Sequence, residues 1–99
     1  MKKPNKIKLF GYGIRVKWDG AVPESDPRYM GRNYSYYHEI WCDEATAGQG
    51  QNLLHEILHH ISNRLEIKLE DEHIEPLATA LTEFIRLNPK VIRFIQESK

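Results

Sequence analysis

The sequence predicts an α+β domain: a small antiparallel sheet in the first half, followed by a helix carrying an HExxH motif and two further helices. Three observations predict it. Apolar and charged residues alternate from Ile7 to Trp18 and again across Tyr34 to Asp43, the period of half-buried strands. From Gln51 onward the apolar period changes to i, i+3, i+4, i+7, the mark of helices packed on a core. Turn formers crowd the interval between the two strand regions.

The 99 residues read as one domain, 1–99, with strands and loop in 1–45 and helices in 46–99. A chain of this length buries roughly two thirds of its unfolded surface, enough for one core without disulfides. Lys plus Arg equals Asp plus Glu at 14 each, so no basic field points to nucleic acid. Cys42 is the only cysteine, which excludes an internal disulfide and suits a reducing compartment. In the opening MKKPNKIKLFGYG the apolar run is short and broken by Lys8 and glycines, with no cleavage site. The expectation is a cytoplasmic protein with neither a membrane nor a nucleic-acid partner.

Residues 1–6 form a lead. Ile7 and Leu9, then Ile14, Val16 and Trp18, with Lys8, Arg15 and Lys17 between them, predict a strand pair turned at Gly11 to Gly13. Asp19, Gly20, Pro23, Ser25, Asp26, Pro27 and Gly31 predict a long loop, either one wall of a cleft or disordered. Tyr34 to Asp43, YSYYHEIWCD, reads as one strand with Tyr36, His38, Ile40 and Cys42 on one face and Tyr37, Glu39 and Trp41 on the other. Aromatics on both faces predict cover on both sides, and a free edge would accept a peptide by strand addition.

The first helix begins within Glu44 to Gly50, with Asp43 or Thr46 as N-cap, and fades near Ser62 to Arg64. Gly48 and Gly50 weaken its first turns. After a short connection, a second helix spans 71–87 with Ile74, Leu77, Ala78, Leu81, Phe84 and Ile85 as its apolar stripe. Asn88 and Pro89 read as N-cap and first position of a last helix carrying Val91, Ile92, Phe94 and Ile95.

The chemistry concentrates in QNLLHEILHHI, residues 51–61, where three of the five histidines fall. His55 and His59 are four apart, so on a helix they present two imidazoles to a single ion. Glu56 stands beside them, placed to take a proton from zinc-activated water, the arrangement of a zinc metallopeptidase. The competing account is a plain amphipathic helix whose histidines are hydrogen-bonded core or surface residues. A catalytic site needs a third protein ligand. Glu75 is the first choice, Asp71 its rival as ligand or supporting partner, and His73 the outside choice; an acidic first turn complementing the helix dipole is the plain alternative. Pro76 predicts a helix start or kink at Glu75.

QNLLHEILHHI, the short connection, the acidic helix start running into LATAL, and NPKVIRFI resemble small phage and prophage proteins similar to ImmA/IrrE-type, gluzincin-like zinc metallopeptidases, over about residues 49–95. The resemblance implies a minimal zincin-like domain that binds Zn2+ through His55, His59 and an acidic residue of the second helix, with Glu56 catalytic. Two positions depart from the pattern. Asp71 and Glu75, followed by proline, stand where larger members have a glutamate and an asparagine or aspartate four apart. His60 stands where alanine is common. The expected activity is peptide-bond hydrolysis on a peptide or protein substrate, with His60, His73 or a tyrosine at 34, 36 or 37 available to the oxyanion. The alternative is a non-catalytic zinc-binding phage or prophage accessory protein that binds a protein partner. No oligomeric state follows from the sequence.

Overall fold

Alternation in the first eighteen residues builds a hairpin. β1 (Lys6–Leu9) and β2 (Tyr12–Lys17) pair antiparallel, with Lys6 opposite Arg15 and Leu9 opposite Tyr12. The two-residue loop requires positive φ at both positions, and Phe10 (54°) and Gly11 (80°) supply it. The structure, a computed structural model, describes residues 3–18, 33–34, 39–42 and 48–98. Outside these lie the loop at 19–31, the faces assigned to Tyr36, Tyr37 and His38, and the N-caps expected at Asp43 or Thr46.

Two short strands complete the sheet, β3 (Asn33–Tyr34) and β4 (Glu39–Trp41), in the order β1-β2-β4-β3. β4 runs parallel to β2, with Arg15 opposite Glu39, and antiparallel to β3, with Asn33 opposite Ile40. The expected antiparallel sheet is therefore mixed. The connection from Lys17 to Glu39 is long enough for the crossover that a parallel pair needs. The expected single strand from Tyr34 to Asp43 is also corrected, since Tyr34 and Glu39 belong to strands of opposite direction. β4 has no free edge for a peptide, because β2 and β3 flank it.

Ile14, Val16, Ile40 and Cys42 form one buried cluster beneath Leu53 and Ile57 of α1 (Gln49–Arg64). Leu58 of the same helix forms a second cluster with Ile74 and Ala78 of α2 (Asp71–Leu87). α1 is thus the wall shared by sheet and helices, and the motif lies on it. It opens at Gly48, whose left-handed conformation (φ 76°, ψ 42°) lets the chain turn into the helix without a side-chain cap.

α2 has the limits expected, but Pro76 neither starts nor ends it. The helix is nucleated upstream by a capping box between Glu70 and His73, and buried Ile74 and Ala78 bracket the proline. α3 spans Pro89–Glu97 with proline at its start. Asn88 does not cap it with its side chain; Nδ2 donates to the Phe84 carbonyl at 2.9 Å, closing α2 instead. Of the α2 stripe only Ile74 and Ala78 are buried, while Leu77, Leu81 and Ile85 remain exposed. No helix among the described residues is long and apolar enough to cross a membrane.

Candidate metal centre

α1 and α2 meet along a polar seam of antiparallel register. Gln51 Nε2 donates to Thr79 Oγ1 at 2.9 Å, His55 Nδ1 lies 2.8 Å from Glu75 Oε2, and His59 Nε2 lies 2.9 Å from Asp71 Oδ1. Each step of four down α1 meets a step of four back along α2, because residues four apart stack on one helix face. The apolar contacts of Leu58 with Ile74 and Ala78 run beside this seam.

The connection between the helices sets that register. Ile67 N donates to Ser62 O at 3.1 Å and Glu66 N to Asn63 O at 3.3 Å, a Schellman end in which Glu66 (φ 56°) takes the place usual for glycine. The Ser62 hydroxyl, buried at 5% exposure, donates to Ile67 O at 2.5 Å and accepts from Leu69 N at 3.2 Å. Ser62→Ala removes both bonds and leaves main-chain groups to be resolvated, so unfolding free energy should fall by about 1–3 kcal/mol. Urea denaturation checks this, and an unchanged midpoint would exclude the clip.

His55 Nε2 and His59 Nε2 approach to 3.1 Å, with ring centroids 4.8 Å apart. His59 Nε2 therefore faces an imidazole nitrogen and a carboxylate oxygen at once, and its single proton serves only one of them. A cation bound between the donors satisfies all three. Two of the three separations, 3.1 Å between the histidines and 2.9 Å from His59 to Asp71, lie near the roughly 3.3 Å between ligands about 2.0–2.1 Å from a tetrahedral ion. His55, His59 and Asp71 form a group that could hold a metal ion, with one donor atom of each lying within 4.8 Å of the others.

Of the two acidic candidates, Asp71 and Glu75, each meets a different histidine. Glu75 lies on His55 Nδ1, the nitrogen turned away from His59, where accepting that N–H holds the tautomer with the Nε2 lone pair toward the group. Asp71 is the carboxylate that joins the histidines. His73 is occupied at the start of α2, its Nδ1 accepting from Glu70 N at 3.3 Å, and is outside the group. His60 is 1% exposed, on the buried side of α1 four residues on from Glu56. Glu56, 7% exposed, lies by helix pitch between the histidine seam and the Leu53 and Ile57 face that covers the sheet. The side chains of Asp71 and Glu75 are 85% and 63% exposed, so the seam opens to solvent on its α2 side.

The pKa of His59 lies below its ordinary 6.5. Burial disfavours the charged ring and neighbouring His55 adds to this, while Asp71 pulls the other way. The neutral ring is the form that ligates a metal. Because the folded chain binds fewer protons here than the unfolded one, this group's stabilisation is complete above about pH 6.5 and is lost as pH falls through the folded value. Urea midpoints of the metal-free chain should decline on acidification below about pH 6.5, and His59→Gln should flatten the decline. An equal decline in the variant would contradict the assignment.

Some of these features had sequence signals. The i, i+4 pairs His55/His59 and Asp71/Glu75 pointed to one seam, whereas nothing local marked Ser62 or the left-handed Glu66. Compared with protein-family models, with curated proteins and with solved structures, the chain matches none.

Proposed function

We propose that the protein is a zinc-dependent peptidase in which His55, His59 and Asp71 hold the metal, Glu75 orients His55, and Glu56 is the general base. The observation that carries this reading is the meeting of two imidazole nitrogens and a carboxylate in one group, with a second carboxylate on the outer nitrogen of His55. Two neutral imidazoles and one carboxylate suit zinc, which when bound would supply a Lewis acid and lower the pKa of its water toward about 7. Glu56 takes a proton from the attacking water onto its carboxylate and returns it to the leaving amine. Glu75 keeps a proton on His55 Nδ1, and Asp71 offsets part of the cation's charge.

Among the described residues the group contains no fourth side chain, which leaves a position for water or a substrate carbonyl. The alternative, a non-catalytic zinc-binding phage or prophage accessory protein, predicts a closed set of four protein ligands. Peptide or protein substrates and a cytoplasmic location accompany the peptidase reading. Its test is a mixture of unstructured peptides incubated with zinc-loaded protein. Cleavage that stops on chelation and returns with zinc supports it, and no cleavage by fully loaded protein overturns it. Metal analysis also separates zinc from iron, which two histidines and one carboxylate can bind.

A further inference from the structure

A different side of α1 borders an apolar groove. Leu53, Leu54 and Ile57, with Thr82, Ile85 and Arg86 of α2, line an open space of about 280 Å³. A cavity of about 150 Å³ admits a benzene-sized group, so this one has room for a phenyl ring together with a branched aliphatic side chain. The chain carries such a set on α3. Val91, Phe94 and Ile95 occupy one face at i, i+3 and i+4, and Phe94 is 72% and Ile95 60% exposed.

That face is out of reach of its own groove. α2 ends at Leu87 and α3 begins at Pro89, leaving only Asn88, whose side chain is committed to the Phe84 carbonyl. Connections that fold one helix back along another take about 2–8 residues. α3 therefore does not fill the groove of its own chain.

We propose that the occupant is a second copy of this chain, with α3 of each copy seated in the groove of the other. An amphipathic helix laid in an apolar groove is a general mode of recognition, read through anchors at this spacing. Each copy supplies one ridge and one groove, so a two-fold arrangement closes and uses both. The area agrees. Leu77, Leu81, Ile85, Leu87, Val91, Phe94 and Ile95 are each between 37% and 72% exposed. At roughly 150–200 Å² for a whole large side chain they present about 600 Å² per chain. That total is of the order of the ~800 Å² each partner gives to a stable interface. A formal charge of zero leaves no net repulsion between copies. The contact involves neither the histidines nor their carboxylates, so it stands or falls apart from the metal reading.

The test is the mass of the untagged chain by sedimentation equilibrium over a dilution series from millimolar to micromolar. Twice the 11.7 kDa chain mass, falling toward one on dilution, is expected. Phe94→Glu on the ridge and Thr82→Glu in the groove should each weaken the dimer roughly thirtyfold or more, the loss typical of a central anchor. Circular dichroism verifies the fold, and because the two changes lie on different helices either one suffices. Wild-type protein that keeps the chain mass throughout overturns the proposal, and a monomer whose groove takes up a hydrophobic dye would point to a partner of another sequence. A dimer unchanged in a folded variant overturns the ridge-in-groove contact.

Discussion

Glu56→Gln is expected to retain one zinc per chain and lose peptide hydrolysis by roughly 100- to 10,000-fold in kcat, the range general acid–base catalysis supplies. The amide keeps the shape of the carboxylate, and the groups assigned to the metal, His55, His59 and Asp71, are untouched. What is lost is the ability to take a proton from water at neutral pH. Glu56 is buried on α1 beside the seam, so the fold should tolerate the isosteric change better than a truncation. Steady-state kinetics on zinc-loaded protein, with metal content measured on the same sample, reads both quantities. A variant that cleaves at the wild-type rate would remove Glu56 from the mechanism, and one that loses its zinc would make Glu56 part of the metal site.

Asp71→Ala and Glu75→Ala are expected to separate by role. Asp71 lies within 2.9 Å of His59 Nε2 in the donor group, so its removal takes away a ligand and should abolish stoichiometric zinc binding. Glu75 touches His55 only through Nδ1, at 2.8 Å, and acts by orientation, so its removal should weaken zinc binding about 10–100-fold while leaving a site that fills at higher zinc. Competition titrations against a chromophoric chelator measure both. If Glu75→Ala lost zinc outright and Asp71→Ala kept it, Glu75 would be the ligand and the two carboxylates would exchange places.

The choice between those carboxylates shows where sequence reasoning runs out. Helical periodicity placed Asp71 and Glu75 on one flank of α2, and the heptad-like spacing of QNLLHEILHHI placed His55 and His59 on one face of α1. Which carboxylate meets which histidine depends on how far α2 slides along α1. That register is set by the Schellman end at Glu66 and by Ser62 holding Ile67 and Leu69, contacts between residues with no signature of their own. The limits of α2 and the start of α3 were legible because acidic residues, Asn88 and Pro89 act locally. Pro76 does not start the helix, because the capping box before it and the burial around it outweigh that local rule. The direction of β4 was not legible, since strand alternation is the same read either way and only the long connection from β2 decides it. Nor did the apolar stripe of α2 reveal that half of it stays uncovered: periodicity identifies a face without saying what packs on it.

The most direct test of the central claim is the metal content of untagged wild-type protein beside His59→Ala, with X-ray absorption on whatever metal is found. The reading predicts one zinc per chain, two imidazole ligands, one carboxylate and one further light-atom ligand, and loss of the metal in His59→Ala. Wild-type protein that takes up no zinc, or zinc that survives His59→Ala with its spectrum unchanged, would contradict it.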